Sequence, residues 1–193
     1  MDKLRSCYGI NFDRFTLIPE YFDNHSELHG INHTYRVMYH CLELGEAENL
    51  NAQARLAFMA AFIHDMARQH DGFCKNHGAW AAKAKLPAFT KLFIETGASK
   101  SDLALIYSAV YNHSLPSELP ESDPAAKITS LLKDADALDR IRLGEGNLRP
   151  EYLRFNGSHE LITSSKELYY KYHSEAIGSF GELIGLAENL LRD

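Results

Sequence analysis

The segment ARLAFMAAFIHDMAR, residues 54–68, decides the fold more clearly than any other part of the sequence. Its apolar side chains recur at intervals of three and four positions, at Leu56, Met59, Ala60 and Ile63. This spacing places side chains on one face of an α-helix. Helical spacing recurs through most of the remaining chain, whereas the alternation of apolar and polar residues that indicates strands is not sustained. The sequence therefore predicts an all-α fold.

The same periodicity gives the bounds of the expected helices. They are about residues 31–47, 51–68, 77–85, 101–112, 125–143, 163–173 and 174–191. We expect Pro87 to stop the third helix, because proline inside a helix removes a hydrogen bond. Asp123-Pro124 is a start signal for the fifth helix, and Gly144 is placed to end it. With 193 residues and 45% hydrophobic content, the chain is expected to form one helical domain, residues 1–193.

Composition excludes several classes of partner. The net charge of −6 and the lack of a basic run argue against a long nucleic acid. No apolar run approaches the roughly 20 residues of a membrane-spanning helix, and the start, MDKLRSCYGINFDRF, lacks a secretory signal. We therefore expect a cytoplasmic protein with no membrane partner. Three widely spaced cysteines, Cys7, Cys41 and Cys74, predict neither a disulfide framework nor a cysteine zinc site.

Several polar residues occupy positions where helical spacing predicts apolar ones. Asp134 shares the inward stripe of its helix with Leu131. His64 and Asp65 follow an apolar run without a helix break, and His33 lies on the inward face of an earlier helix. Because a buried charge is costly when unpaired, such groups need an ion pair, a hydrogen-bond network or a metal. Imidazole and carboxylate groups are typical ligands of Mn, Fe, Co, Ni or Zn.

Three stretches carry a resemblance to a known family: HGINHTYRV (29–37), FIHDMAR (62–68) and LKDADALDRIR (132–142). They contain, in order, a histidine, a His-Asp doublet on a second helix and a distant aspartate. This order resembles the HD-domain superfamily of metal-dependent phosphohydrolases, over about residues 29–142. The resemblance implies a phosphatase or phosphodiesterase that hydrolyses a small phosphate ester or anhydride through a metal-activated water, with a nucleotide as one candidate substrate.

The resemblance also implies the metal ligands. Carried over onto this sequence, they are His33, His64, Asp65 and Asp134. His77 and His113 fall where members with two metals have further ligands, so we expect one or two divalent ions. Transition metals are favoured by the ligand types, and Mg²⁺ is an alternative.

Catalysis and phosphate binding call for further residues. We expect Asp65 to orient the attacking water, and His113 and Arg68 to contribute to catalysis. Candidates for binding the substrate phosphate are Arg68, Lys133 and Arg36, because guanidinium and ammonium groups complement its charge.

Structural alternatives exist for several polar residues. Arg36 and Arg140 could instead pair with a buried carboxylate such as Asp136 or Asp139. Two interpretations remain for His29: it contacts a metal ligand, or it is a loop residue without a functional role. The histidines to which we assign no functional role are His25, His40, His70, His159 and His173.

The sequence departs from the family pattern at two points. Ala67 stands where an HD-x-G-[KR] run often has glycine, although Arg68 keeps the cation. The GYP segment of cyclic-dinucleotide phosphodiesterases is absent, which disfavours that substrate. For a nucleotide substrate, Tyr107 or Tyr111, near His113 in the sequence, could line the pocket that holds the nucleobase.

Three functions are compatible with the sequence. The first is a phosphohydrolase acting on a small phosphorylated substrate, and retention of all four family ligands favours it. The second is a module that binds a metal or nucleotide without turnover. The third is an oxygenase that uses a di-iron centre in the same fold. The oligomeric state is open, and a homo-oligomer is one of the options.

Overall fold

The computed structural model describes residues 7–190. Within this range the chain consists of helices and connecting segments and contains no strand, which confirms the all-α prediction. The α-helices are α1 (Ile31–Ala47), α2 (Asn51–Ile63), α3 (His77–Glu95), α4 (Lys100–His113), α5 (Ala126–Leu138), α6 (Asn156–Glu160), α7 (Ile162–Tyr172) and α8 (Phe180–Leu190). Short 3-10 helices occupy Phe12–Arg14, Pro19–Tyr21, Asp139–Leu143, Glu145–Asn147 and Pro150–Tyr152.

Helix α2 lies at the centre of the fold. It packs against α1, α3, α4 and α5, and every residue from 56 to 63 is buried. A helix that is apolar on all sides is suited to such a central position. Its small residues, Ala57, Ala60 and Ala61, are completely buried and let the neighbouring helices approach its backbone closely.

Segments from both ends of the chain complete the core. The Phe12 and Phe15 rings, which precede α1, contact the ring of Phe58 in α2 at centroid distances of 5.5 and 4.8 Å. Phe180, at the start of α8, contacts both Phe12 and Phe58 at 5.1 Å. These edge-on contacts connect the terminal segments to the central helix.

The structure corrects three predicted helix bounds. Helix α2 ends at Ile63 rather than near residue 68, because a turn over residues 64–67 follows it. Helix α3 continues through Pro87 to Glu95, because the proline lies on the exposed side while Leu86 and Phe93 remain buried on the other. Helix α8 begins at Phe180 rather than at residue 174. The predicted end of this helix, residue 191, lies outside the described residues.

The connection after α5 determines where the next segments run. A 3-10 helix, Asp139–Leu143, continues from α5, and Gly144 then ends it with a φ of +112°. A positive φ of this size favours glycine, so the predicted end at Gly144 is confirmed. None of the helices described between residues 7 and 190 combines the length and apolar character that crossing a membrane requires.

Candidate metal centre

The candidate site begins at the end of α2, where the His-Asp doublet lies. The helix ends at Ile63 and a turn formed by residues 64–67 follows. His64 is completely buried and Asp65 is nearly so. The His64 Nδ1 atom lies 2.7 Å from the Ala61 carbonyl oxygen. Because a carbonyl oxygen can only accept, Nδ1 carries the proton and the Nε2 lone pair of the neutral ring faces the interior.

His33, in the first turn of α1, is held from behind by Asp139. Its Nδ1 atom donates to Asp139 Oδ2 at 2.7 Å. Arg36 donates two further hydrogen bonds to the same carboxylate, at 2.5 and 3.0 Å. Burial raises the pKa of Asp139, but Arg36 and His33 more than offset this effect and hold the pKa well below its ordinary value. The ionised Asp139 therefore orients His33 with its Nε2 atom towards His64.

The two imidazoles meet through their Nε2 atoms, which lie 3.2 Å apart. Burial is the largest influence on His64 and lowers its pKa to about 3, so this ring is neutral at ordinary pH. Its hydrogen is on Nδ1, so the His64 Nε2 lone pair is directed at His33. A cation bound between the two Nε2 atoms could be coordinated by both rings.

A second pair of imidazoles repeats the arrangement. The Nε2 atoms of His77, at the start of α3, and His113, at the end of α4, lie 2.9 Å apart. Their Nδ1 atoms donate to the carbonyl oxygens of Cys74 and Val110, respectively. Glycine at position 78 permits this approach, because a Cβ atom there would lie 2.5 Å from the Val110 carbonyl oxygen. Both rings therefore direct their Nε2 atoms to one point between the helices.

Asp65 lies between the two imidazole pairs. Its Oδ2 atom is 3.5 Å from His33 Nε2, and its Oδ1 atom is 3.1 Å from His77 Nε2. The Arg68 Nε atom lies 3.0 Å from the same Oδ1 atom. Burial raises the pKa of this carboxyl, but the surrounding imidazoles hold it well below its ordinary value. One ionised carboxylate thus contacts both pairs.

Helix α5 contributes Asp136 to this cluster. Its Oδ1 atom lies 3.5 Å from His33 Nε2 and 3.5 Å from a terminal nitrogen of Arg142. Burial raises the pKa of Asp136, but Arg142 and His33 more than offset the effect and keep it below its ordinary value. The carboxylate is therefore charged and faces the His33 and His64 nitrogens.

Asp134, the predicted fourth ligand, does not belong to the cluster. Its Oδ2 atom accepts hydrogen bonds from the Ser158 hydroxyl at 2.6 Å and from the backbone N–H groups of residues 154 and 155 at 2.8 and 3.1 Å. Its Oδ1 atom accepts from the Arg154 guanidinium at 2.8 Å. The structure therefore places Asp136, rather than Asp134, in the cluster. The prediction that Asp134 is buried and needs a partner is accurate, but its partners are hydrogen-bond donors.

The donor atoms fit a divalent metal. Among residues 7–190, three sets of ligand atoms lie within 4.8 Å of one another: His29 with His33 and Asp65, His33 with His64 and Asp136, and His64 with Asp65 and His113. The Oδ1 atoms of Asp65 and Asp136 are buried and have no hydrogen-bond donor of acceptable geometry in the described part of the chain. Unsatisfied buried oxygens and facing imidazole nitrogens are the features that a bound cation would satisfy.

The three cations predicted to bind phosphate have different surroundings. Arg36 is buried and its guanidinium is committed to Asp139, so the structural alternative is correct and Arg36 is not available to a substrate. Arg68 lies beside Asp65, and its side chain remains partly exposed. Lys133 lines a cleft that reaches the cluster.

This cleft, which we call the basic cleft, has a volume of about 810 Å³ and opens next to α5. His113 and Asp136 lie on its wall, so it reaches both halves of the cluster. Its cationic lining residues are Lys133, Arg140, Arg149 and Arg154. Two exposed rings, Phe73 and Tyr152, also line it. Tyr107 and Tyr111, expected near a nucleobase, stack on each other on the surface and do not contribute to its lining.

His29, for which the sequence leaves two interpretations, contacts the cluster. His29, which precedes α1, is buried, and its Nδ1 atom lies 2.8 Å from Asp65 Oδ2 and 3.2 Å from a nitrogen of Arg142. Asp136 is harder to predict from the sequence, because it lies beside the apolar stripe of α5 rather than within it.

Comparison with known proteins gives one match. A family model described as HD domain matches residues 30–141, which is more than half of the chain. No curated protein and no solved structure matches the chain. The matched range contains both imidazole pairs, Asp65, Asp136 and Asp139.

Proposed function

The chain belongs to the HD-domain family, and from this premise we propose that it is a metal-dependent phosphohydrolase acting on a small phosphorylated substrate. Family membership indicates a metal-dependent hydrolase. The cluster of histidine and aspartate side chains could hold the metal. The finer assignment, to a phosphate ester or anhydride, rests on the cleft that leads to this cluster.

The observation that carries the proposal is the continuity between the cluster and the basic cleft. His113 and Asp136 belong to sets of candidate ligands and also line the cleft. Four cationic side chains and three acidic ones line the same cleft, so its lining carries an excess of positive charge on a chain whose net charge is −6. Cations concentrated in one cleft of an acidic protein attract an anionic substrate.

We assign the metal ligands on the basis of the facing Nε2 atoms. The proposed ligands are His33, His64, Asp65 and Asp136 for one ion, with His77 and His113 for a second. Asp65 contacts both imidazole pairs and is therefore the ligand that two ions would share. Mn, Fe, Co, Ni or Zn suits this mixture of nitrogen and oxygen atoms better than Mg²⁺ does.

The chain's own residues would orient the reacting groups. A bound divalent ion supplies a Lewis acid and a water of lowered pKa. Asp65 keeps an ionised carboxylate beside both imidazole pairs, where it can accept a hydrogen bond from an attacking water and orient it. Arg68, whose Nε atom lies 3.0 Å from Asp65, is placed to bind a phosphoryl oxygen and to hold Asp65 in position.

A nucleotide is our first candidate for the substrate. Phe73 and Tyr152 line the cleft with 91% and 64% of their surfaces exposed. Exposed aromatic rings of this kind can stack on a nucleobase while the phosphates extend towards the cluster. Tyr152 adjoins Arg154 in the sequence, so an aromatic ring and a cation come from the same short segment.

The test is a screen of the metal-reconstituted protein against nucleotides, sugar phosphates and simple phosphate esters, with phosphate release as the readout. We expect metal-dependent turnover that is lost in Asp65→Asn. The matched control is Asp71→Asn, since Asp71 is an exposed aspartate whose carboxylate accepts a hydrogen bond from Asn24 outside the cluster. Asp71→Asn should retain wild-type turnover.

Two results would contradict the proposal in favour of the alternatives. Tight metal binding without turnover of any phosphorylated compound would support a binding module. Bound iron with O₂ consumption and no phosphate release would support an oxygenase. Equal turnover by Asp65→Asn and the wild type would remove the assigned site.

A further inference from the structure

Glu118 is the carboxylate shared by two cations of the basic cleft. Its Oε1 atom lies 2.6 Å from a terminal nitrogen of Arg154 and 3.2 Å from Lys133 Nζ. The three residues come from different parts of the chain: Glu118 from the connection between α4 and α5, Lys133 from α5, and Arg154 from the segment before α6. One oxygen atom of Glu118 thus forms ion pairs with two cations that line the cleft.

The two cations are held in place without Glu118. Lys133 Nζ also donates to the Ser117 carbonyl oxygen at 2.7 Å. Arg154 donates to Asp134 Oδ1 at 2.8 Å and to the Tyr152 carbonyl oxygen at 3.1 Å. If the Glu118 carboxylate moved away, both cations would therefore keep their positions and would each gain a free donor.

Of the three side chains, Glu118 is the most exposed and can therefore move away from the two cations. Its side chain is 49% exposed, whereas the Lys133 and Arg154 side chains are 4% and 26% exposed. Burial lowers the pKa of Lys133, and the hydrogen bond from Arg154 holds the pKa of Glu118 below its ordinary value. Both cations therefore pair with a carboxylate that is itself about half exposed to solvent. Exposed ion pairs of this kind contribute little to stability.

The Glu118 site is adjacent to the proposed metal centre. Lys133 precedes Asp136 by three residues on α5, and side chains with this spacing lie on the same helix face with Cβ atoms about 5–6 Å apart. His113, from the other half of the cluster, lines the same cleft. An anion bound by Lys133 and Arg154 would therefore lie next to a phosphate bound at the metal centre.

We propose that Lys133 and Arg154 bind a second anionic group of the substrate, and that this group displaces the Glu118 carboxylate. This inference rests on the proposed function, and it restricts the substrate class to compounds that carry two neighbouring anionic groups, such as a second phosphate or a carboxylate beside the reacting phosphate. Glu118 then acts as an internal competitor that occupies the position of the second group in the free protein.

The test uses two non-hydrolysable probes on the Mn²⁺-reconstituted protein. Phosphonoacetate carries a phosphonate and a neighbouring carboxylate, whereas methylphosphonate carries the phosphonate alone. Isothermal titration should show wild-type protein binding phosphonoacetate about tenfold more tightly, since one added charge-assisted contact changes affinity by roughly this factor. Glu118→Gln should tighten phosphonoacetate several-fold further and change methylphosphonate by less than twofold.

Variants of the cations and a matched control complete the design. Arg154→Gln should abolish the preference for phosphonoacetate, and circular dichroism checks its folding, since Asp134 keeps three other hydrogen bonds. The control is Glu151→Gln, a glutamate of the same cleft that pairs only weakly, at 3.9 Å, with the exposed Arg149. Glu151→Gln should bind both probes as the wild type does.

The outcomes separate this inference from the proposed function. Equal binding of the two probes by the wild type would overturn the second anionic site. A wild-type preference that is unchanged in Glu118→Gln would overturn the displacement of Glu118. Either result could accompany normal metal-dependent hydrolysis, which would leave the proposed function standing. A preference for phosphonoacetate that depends on Arg154 and increases in Glu118→Gln supports the inference even if the hydrolysis screen fails.

Discussion

Two aspartates of α5, separated by one residue, have opposite surroundings. Asp134 is completely buried, and four donors satisfy its two oxygens. Asp136 is partly exposed, and its buried Oδ1 atom faces imidazole nitrogens without a hydrogen bond from the described residues. The comparison shows that burial of a carboxylate does not by itself identify a metal ligand. The informative feature is an oxygen that the chain leaves unsatisfied.

Asp139, three residues further on, extends the comparison. It is as deeply buried as Asp134, and Arg36 and His33 satisfy it. Its role is to orient His33 from behind, as carboxylates behind metal-binding histidines commonly do. The DADALDR segment therefore contains three aspartates with three different functions, which are to hold the following segment, to face the cluster and to orient a ligand.

The largest effect that we predict is on the stability of the protein, and it concerns Asp139, whose oxygens are satisfied by hydrogen-bond donors. Arg36→Met should lower the free energy of unfolding by about 3–5 kcal/mol, because it leaves the Asp139 carboxylate buried with only His33 and a longer contact from Arg142, at 3.8 Å. Urea unfolding of the metal-free protein measures the change. The control is Arg14→Met, which removes an exposed pair with Glu95 and should cost less than about 1 kcal/mol. Equal costs for the two variants would show that Asp139 does not depend on Arg36.

The second prediction concerns the unsatisfied aspartate. Asp136→Asn should weaken metal binding by about 100-fold or more, since even residues that only support a ligand are worth about 10–100-fold. The stability of the metal-free protein should change by less than about 1 kcal/mol, because Asp136 makes only long contacts, at 3.5 Å, with His33 and Arg142. Metal competition titrations and urea unfolding give the two values. A large loss of stability with unchanged metal affinity would reverse the assignment of Asp134 and Asp136.

The sequence was sufficient for the fold and for most of the cluster. Helical spacing predicts α1 and α4 nearly as they are and the start of α2, and the order of histidine, doublet and distant aspartate predicts the elements that meet. His77 and His113 were placed by the family resemblance, and the structure brings their nitrogens together. These features are accessible because they depend on periodicity and on the order of residues along the chain.

The position of Asp136 in the cluster was not accessible by the same reasoning. The apolar stripe of α5 points to Asp134 because helical spacing measures only how deeply a residue lies in the core. Asp136, which faces both the cluster and the basic cleft, lies at the edge of this stripe. The donors to Asp134 come from Arg154 and Ser158, about twenty residues away in sequence, and their approach depends on tertiary packing that periodicity does not describe.

The third prediction is that metal removal destabilises the protein. The proposed ligands, among them His33 and His64 with their Nε2 atoms 3.2 Å apart, come together only in the folded chain, so a bound metal stabilises that state. Chelation of the metal should therefore lower the free energy of unfolding, by about 2.7 kcal/mol relative to protein with free metal at a hundred times its dissociation constant. Thermal unfolding with and without chelator measures the difference. At the same metal concentration the difference should fall to about 0.4 kcal/mol or less in Asp136→Asn, whose affinity is expected to be about 100-fold lower. Persistence of the full difference there would argue against Asp136 as a ligand.

The smallest effect that we predict concerns Asp134. All of the groups that surround its two oxygens are donors, so an asparagine there would direct its NH₂ group at another donor whichever way it turned. Asp134→Asn should therefore lower the free energy of unfolding by about 1–3 kcal/mol while metal affinity stays near the wild-type value. The control is Asp123→Asn, because Asp123 accepts a single hydrogen bond, from the Ala125 N–H group, that an asparagine can also accept.

The combination of the two readouts in Asp134→Asn decides between the aspartates. A ligand and a hydrogen-bond hub both tolerate substitution poorly, so loss of activity alone would not distinguish them. Metal affinity separates the roles, because only a ligand contributes directly to it. If Asp134→Asn lost its metal and kept its stability, Asp134 would be the ligand, as the position on the apolar stripe suggests. If it lost stability and kept its metal, the hydrogen bonds from Arg154 and Ser158 would account for its burial.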